Sequence, residues 1–316
     1  MTASTKQNLV TKLLLTFYLL ASVLTINGKA IEEKLPGYIE NIEKRKSEIY
    51  YQMKEFQEYK QNPYSVSDRD NAYYVLSNYL LQRNKKDDMS SLIEEAWSYN
   101  FGYEAKELYS KMKDKTGLVD FAENTKEYSF YSKCINDAYQ ISDYAKNVTK
   151  RNRPWLNFII DFKGKHPNDR EKVITEKYGA HAKEVMNGIK DGNRDYTSCP
   201  SGHTVVCYVA AFALCHIYPE KIEKIMDFAN KYAISRVILG EHHISDVEIS
   251  RQFAKLIFEE ISKEKQFISD LKEIVNNANI EQTNSSIENY IKENKICPNS
   301  YTEEFKKVVN DEIFQW

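Results

Sequence analysis

Turn-forming residues are scarce in this chain, and their scarcity limits the folds open to it. Its 316 residues include only 10 glycines and 7 prolines, too few for a sandwich or barrel of many short strands. Apolar and tyrosine residues instead recur at steps of three, four and seven, as at Tyr38, Ile42, Ile49, Met53 and Phe56. We therefore predict an all-α fold, a single-domain helical bundle.

Further helical periods follow in the second half of the chain. One begins at Lys221, a second runs from Phe253 to Ile261, and a third from Phe267 to Val275. The apolar stretch from Thr204 to Tyr218 is shorter than the roughly 20 residues that span a bilayer, so we predict a buried helix there. The polar run from Asn276 to Ser286 is typical of a linker before a short last helix.

The first thirty residues have the pattern of an export signal. Lys6 and Lys12 precede an apolar run from Leu13 to Ile26, and Gly28 and Ala30 are small residues at the positions that a signal peptidase reads. We predict a cleaved signal peptide at 1–30 and a periplasmic or secreted mature protein with no stable membrane span. The alternative is an uncleaved anchor.

The charge of the chain gives little attraction for polyanions. A formal net charge of -2 provides no broad positive field, which argues against a nucleic-acid partner and against binding to anionic lipid by bulk charge. Affinity for an anion has to come from a focused site.

The cysteine pattern sets one further limit. Five cysteines leave at least one thiol free or paired between chains. Cys207 and Cys215 fall on one predicted helix, where a rise of 1.5 Å per residue separates them by roughly 12 Å. That separation exceeds disulfide reach, so we expect no bond between them.

A first cluster of basic residues precedes a proline. A helix ending before Pro154 would put Lys146 and Arg153 two turns apart on one face, where both can approach a single anion. Arginine offers a planar fork to phosphate oxygens, and lysine offers a point charge. Because Lys150 and Arg151 lie in the same run, the alternative is a solvated basic face.

A second cluster, Cys199-Pro200-Ser201-Gly202-His203-Thr204, directly precedes the apolar stretch. Proline and glycine favour a tight turn, and the backbone N–H groups at the following helix start, with the Ser201 hydroxyl, can bind an anion. His203 would then lie beside that anion. The alternative is a turn that opens a helix and carries an incidental histidine.

A third cluster combines Arg236, His242 and Asp246. A histidine with a carboxylate four positions on, near a helix start, can have one ring nitrogen held by the carboxylate while the other points outward as a nucleophile. Arg236 adds a third cation. The alternative is a structural hydrogen bond at a helix start.

Together, in this order, the three clusters resemble the signature of the type 2 phosphatidic acid phosphatase and vanadium haloperoxidase superfamily. The stretches PSGHT and SRVILGEHHISDV are similar to those of the bacterial class A non-specific acid phosphatases. The resemblance is close from Lys146 to Phe258 and loose from Ser67 to Ala138. Cys199 stands where that family usually has a tyrosine, and the segment from Trp155 to Ser198 and the tail after Ser262 are longer than usual. These differences leave the substrate range open.

The resemblance implies hydrolysis of phosphate monoesters through a phosphohistidine, with an active site of helix ends and loops. In that scheme His242 attacks phosphorus, Asp246 orients it, and His203 protonates the leaving alcohol. The implied phosphate-binding residues are Lys146, Arg153, Ser201, Gly202 and Arg236. The scheme requires neither metal nor cofactor. Its partners are small-molecule phosphomonoesters and the inhibitor vanadate, and a homo-oligomer is left open.

Other activities could use the same residues. A vanadium-dependent haloperoxidase or a lipid phosphatase would use the same scaffold, but the class A stretches argue against the first and the lack of several spans against the second. A phosphate-binding protein without catalysis would have no need of both histidines. A metal hydrolase using His203, His242, His243 and Asp246 is disfavoured because three cations repel a divalent ion. We place His243 at the rim or surface.

The expected organisation is a signal peptide at 1–30, a helical acid phosphatase domain at 31–262 and a C-terminal helical extension at 263–316. The segment from Trp155 to Ser198 joins the first two clusters and so is expected beside the phosphate pocket. We predict that it forms part of a lid. The alternative is a surface excursion that does not touch substrate.

Overall fold

The structure is a computed structural model that describes residues 36–61, 95–96, 98–99, 101–119, 122–154, 197–238, 241–275 and 280–294. The predicted signal peptide, nearly all of the predicted lid segment and the chain after residue 294 lie outside these described residues. The chain divides into two compact units, Met1–Pro36 and Gly37–Trp316, and all the helices described below belong to the second.

Nine α-helices account for most of the described ranges, and no β-strand occurs in them; residues 152 and 197 form an isolated antiparallel bridge. The prediction of an all-α fold is therefore confirmed. The helices are α1 Ile42–Tyr51, α2 Lys54–Gln61, α3 Ala105–Thr116, α4 Lys126–Thr149, α5 Gly202–Ile217, α6 Ile222–Ile238, α7 Ile244–Ile261, α8 Lys265–Ile274 and α9 Ile280–Glu293.

Helix α5 lies at the centre of the bundle. Every side chain from Val205 to Cys215 is at most 1% exposed, as expected of a helix that is apolar on all sides. It packs against α4, α6 and α7. The predicted buried helix is confirmed, and Cys207 and Cys215 are free thiols that do not bond to each other, as predicted.

Helix α4 is the longest described helix and supports one side of α5. It begins after Thr125, whose hydroxyl accepts a hydrogen bond from the Tyr128 N–H at 3.2 Å, the usual way to satisfy a helix start. It ends at Thr149, because Lys150 adopts a left-handed backbone conformation with φ of 53°. Helices α1 and α8 pack against its outer side.

The chain after Ser262 packs on the same bundle. Helix α8 contacts α4, and α9 contacts α5 and α6. The predicted linker at Asn276–Ser286 is wrong from Ile280 onward, where α9 begins. The reason is a narrow buried stripe in a polar sequence: Thr283 is 7% exposed and Ile287 5% exposed, four residues apart on one face.

Candidate active site

The second cluster forms the start of α5, and Lys146 lies against it. The Ser201 hydroxyl caps the helix, accepting from the Thr204 N–H at 3.4 Å and from the Thr204 hydroxyl at 2.9 Å. A Cβ built on Gly202 would lie 3.8 Å from Lys146 Cε and 3.9 Å from its Nζ. Lys146 occupies the last turn of α4, so its cation lies beside the start of α5.

The first turn of α5 has open donors. The Ser201 N–H donates to Ser250 Oγ at 2.7 Å and is engaged, whereas the N–H groups of Gly202 and His203 have no acceptor within the described part of the chain. Such groups at a helix start bind anions, aided by the helix dipole. Of the predicted cradle, the Gly202 N–H is therefore available, and the Ser201 backbone is not.

Arg153 approaches the site by a route that differs from the predicted one. Helix α4 ends at Thr149, and Asn152 forms the bridge with Thr197, so Arg153 lies beyond the helix. The prediction that Lys146 and Arg153 share a helical face is wrong, because the left-handed turn at Lys150 redirects the chain. The two charges still converge, since both lower the pKa of His203 and of His242.

Arg153 is also tied to the residue before His242. Its Nη1 donates to the Glu241 carbonyl at 2.9 Å and to the Glu241 carboxylate at 2.5 Å. Arg236, in the last turn of α6, is 5% exposed, and burial lowers the pKa of its guanidinium. The site thus contains three cations, one of which shares its charge with a carboxylate of the protein.

His203 lies in the first turn of α5 between two aromatic rings. The Tyr103 ring meets it edge-on with centroids 4.7 Å apart, and the Tyr232 ring is 6.0 Å away. Burial lowers the pKa of His203 well below its usual value, and the charges of Arg236, Lys146 and Arg153 lower it further. Neither tyrosine was predicted from the sequence as part of the site.

His242 is fixed at a single orientation in the loop between α6 and α7. The N–H groups of Glu241 and His242 both donate to the Arg236 carbonyl, at 3.0 and 3.2 Å. The His242 side chain is 1% exposed, and its Nδ1 lies 2.6 Å from the Ser198 carbonyl oxygen. Because a carbonyl only accepts, Nδ1 carries the proton of the neutral ring and Nε2 carries the lone pair.

The electrostatic surroundings keep His242 neutral. Burial is the main cause of a pKa well below the usual value, and Arg153, Lys146, Arg236 and His203 lower it further. A neutral imidazole with a lone pair on Nε2 is the form that can act as a nucleophile.

Asp246 occupies a place different from the predicted one. In the described residues its carboxylate accepts hydrogen bonds from the Arg151 guanidinium, with Nη1 2.6 Å from Oδ1, and from the His243 N–H, 2.9 Å from Oδ2. The ring nitrogen that we expected it to hold, Nδ1 of His242, is bonded to Ser198 instead. Asp246 therefore anchors the start of α7 and the loop that carries His242, and does not contact the ring.

Two residues near this anchor were misjudged from the sequence. Arg151, which we grouped with a solvated face, is 1% exposed. His243, which we placed at the rim, is also 1% exposed, and its Nε2 lies 3.2 Å from the Asn152 carbonyl. Nothing in the local sequence distinguishes Arg151 from the exposed Lys150 beside it.

Metal-binding clusters and membrane-spanning helices are both absent from the described residues. No group of three or more His, Cys, Asp or Glu side chains in those ranges is arranged to hold a metal ion. In the same ranges no helix combines the length and the apolar character needed to cross a membrane.

Residues 129–258 match the PAP2 superfamily. The matched stretch contains all three clusters and is similar to that superfamily. Within the chain, 54 residues are 43% identical to a non-specific acid phosphatase of Providencia stuartii, which is 17% of this chain and 22% of that relative. The chain thus matches less than a quarter of that relative's length, and the resemblance stated from the sequence is confirmed at the level of the superfamily.

Proposed function

We propose that this protein is an acid phosphatase that hydrolyses phosphate monoesters through a phosphohistidine on His242. The observation that carries the proposal is the bond from His242 Nδ1–H to the Ser198 carbonyl, 2.6 Å long. It leaves the lone pair on Nε2, in a ring whose surroundings hold three cations. The PAP2 superfamily match and the acid phosphatase relative support the same activity.

The binding step uses charge and open donors. The Lys146, Arg153 and Arg236 side chains offset the negative charge of the equatorial phosphate oxygens, and the N–H groups of Gly202 and His203 donate hydrogen bonds to one of those oxygens. Phosphoryl transfer asks a protein mainly for such positioning and charge stabilisation.

The chemical steps follow from the two histidines. His242 Nε2 attacks phosphorus in line, the bond from phosphorus to the ester oxygen breaks, and protonated His203 gives its proton to the departing alkoxide. A water molecule then attacks the phosphohistidine, His203 takes the proton of that water, and the bond from Nε2 to phosphorus breaks. Neutral His242 and inorganic phosphate result.

The depressed pKa values account for acid activity. The productive state needs His242 neutral and His203 protonated, yet both rings lose protons easily in the unliganded site. A bound phosphate offsets the cations that lower the pKa of His203, and so favours its protonated form. Protonated His203 in the complex becomes more populated as the pH falls, so kcat should be greatest on the acid side of neutrality.

The test is a pH profile against a panel of soluble phosphomonoesters, repeated with a chelator and with micromolar vanadate. We expect turnover that survives chelation and falls with vanadate, whose trigonal bipyramidal adduct mimics the transition state. Loss of activity in chelator that zinc restores would identify a metal hydrolase. Halide oxidation after vanadate loading, without phosphatase turnover, would identify a haloperoxidase.

Export is a further part of the proposal and rests on residues 1–30, whose pattern is described above. Expression of the whole chain with a signal-peptidase inhibitor, and N-terminal sequencing of the mature product, test it. We expect a mature chain that begins at Ile31 outside the cytoplasm. An intact N-terminus on a cytoplasmic product would contradict it.

A further inference from the structure

A buried arginine that follows α4, Arg151, contacts the start of α7 and takes no part in the proposed mechanism. We propose that Arg151 is the positioning residue of this site: it holds Asp246 and the loop around His242 so that Nε2 faces the phosphate-binding cations. The inference rests on the proposed function and adds to it a residue that does not itself touch substrate.

The first argument is the set of contacts that the side chain makes. Arg151 is 1% exposed and Asp246 0% exposed, so their charges face each other away from water at 2.6 Å. The same Nη1 donates to Ser245 Oγ at 2.7 Å, and the guanidinium lies 4.1 Å from the centre of the Tyr59 ring. A buried charge requires a partner, and Asp246 in turn accepts the N–H of His243 at 2.9 Å.

The second argument is that the backbone of the same segment holds the other side of the loop. The Arg151 carbonyl accepts the Ser198 N–H at 2.7 Å, and the Ser198 carbonyl is the acceptor for His242 Nδ1. The Asn152 carbonyl accepts the Ser198 hydroxyl at 2.8 Å and lies 3.2 Å from His243 Nε2. Residues 151 and 152 therefore bond through their backbone to Ser198, which holds the His242 ring, and Arg151 bonds through its side chain to the start of α7.

The third argument separates Arg151 from the phosphate-binding cations. The charges that lower the pKa of His203 and His242 belong to Arg153, Lys146 and Arg236. Arg151 is not among the largest of these influences, and its charge faces the Asp246 carboxylate. Its loss should therefore disturb the geometry of attack more than the affinity for phosphate.

The experiment compares Arg151→Ala and Arg151→Lys with a control substitution of an arginine that contacts the other end of α7. Arg45 on α1 pairs with Glu260 on α7 and lies 3.7 Å from Glu264, far along the chain from His242. Arg45→Ala removes an arginine–glutamate pair to α7 without touching the site. Activity per folded molecule, the inhibition constant of inorganic phosphate and the thermal midpoint are measured for all variants.

For Arg151→Ala we expect kcat to fall by at least about 100-fold while the inhibition constant of phosphate changes by less than about threefold. Millimolar guanidinium chloride should restore at least about a tenth of the lost kcat, since the free cation can occupy the vacated place beside Asp246. Arg45→Ala should lower the thermal midpoint, leave kcat within about twofold of wild type and show no response to guanidinium.

Arg151→Lys keeps the charge, and it provides the comparison if the alanine variant does not fold. It should fold and show a reduced kcat, because an ammonium on a different stem cannot keep the contacts to Asp246 and Ser245 and also the flat packing of the guanidinium on the Tyr59 ring. The proton NMR signal of His242 Nδ1–H, which needs no turnover, should shift or broaden in this variant and stay in place in Arg45→Ala.

Three results would overturn the inference: wild-type kcat in the folded Arg151→Lys variant, a parallel loss of phosphate affinity and kcat, or an unchanged Nδ1–H signal. Failure of the proposed function is recognised separately, because wild type and Arg45→Ala would then both be inactive on phosphomonoesters. The NMR comparison would still decide the role of Arg151 in that case.

Discussion

Two helix starts lie at this site, and they differ in whether the protein itself provides acceptors for their backbone N–H groups. At the start of α5 the N–H groups of Gly202 and His203 have no acceptor in the described residues, and Lys146 lies alongside. At the start of α7 the N–H of His243 is bound by Asp246, whose charge Arg151 offsets. A helix start with unpaired N–H groups can bind an anion. A helix start whose N–H group is bonded to the protein's own carboxylate instead holds the adjoining loop in place.

In the proposed function, the start of α5 binds the anion and the loop before α7 carries the nucleophile. Substitutions at the two starts should therefore change different kinetic quantities. Those near α7 should change kcat, and those near α5 should change kcat together with the affinity for phosphate.

The largest expected effect is at the α7 side. His242→Ala should reduce kcat by at least about 1,000-fold, because no neighbouring group can replace an in-line nucleophile in a fixed geometry. The measurement is steady-state hydrolysis of an aryl phosphate, with folding checked by circular dichroism. His216→Ala is the control, since His216 is also buried, at 3% exposed, and its Nδ1 lies 2.8 Å from the Phe212 carbonyl, inside the core. Residual activity above about a tenth of wild type in His242→Ala would show that another group attacks.

A smaller effect is expected on the α5 side. Lys146→Met should lower kcat/KM by about 100-fold and weaken inhibition by phosphate, because the cation at the open helix start is lost. Lys150→Met removes an exposed lysine at the end of the same helix and should stay within about twofold of wild type. Equal effects of the two substitutions would mean that Lys146 acts only through the net charge of the protein and not through its position at the start of α5.

The smallest expected effect is a change in proton binding. His203 and His242 should titrate well below the ordinary value of about 6.5 in the free protein, and inorganic phosphate should raise both pKa values. NMR titration of the ring carbons with and without phosphate is the measurement. If both rings had pKa values of about 6.5 that phosphate did not change, the result would contradict both the burial of the two histidines and the nearby cluster of cations.

The same shifts fix the pH dependence of stability. Below about pH 6.5 the unfolded histidines bind protons that the folded ones do not, so the two rings make the folded protein less stable as the pH falls. Asp137 acts in the opposite direction: burial raises its pKa to about 6, so the folded state gains stability from its protonation as the pH falls through that value. Asp137 contributes equally to the free energy of unfolding of wild type and of His242→Gln, so its contribution cancels when the two are compared. On acidification the free energy of unfolding of wild type should fall relative to that of His242→Gln.

Much of the framework could be predicted from the sequence. The all-apolar stretch at α5 can only be buried, and the periods at α6, α7 and α8 each place apolar residues on one face. Ile280–Glu293 was missed because α9 has only a narrow buried stripe in a polar segment.

The residues predicted for the site lie near one another, but their hydrogen-bond partners could not be predicted from the sequence. His242 bonds to the backbone carbonyl of Ser198, and a backbone acceptor 44 positions away leaves no mark in the sequence. Arg151 and Asp246 are 95 positions apart, so the pair that closes α7 depends entirely on how α4 ends. That end is a left-handed Lys150, where most helices would have glycine or asparagine, and sequence patterns do not indicate it.

The most direct test of the account is to trap the covalent intermediate. Protein mixed with labelled aryl phosphate is quenched in alkali within milliseconds, digested and sequenced by mass spectrometry, because phosphohistidine survives alkali and is lost in acid. We predict label on the peptide that contains His242, none in His242→Ala, and loss of the label when the quench is acid. Label on another residue, or full turnover with no labelled peptide at any quench time, would contradict attack by His242.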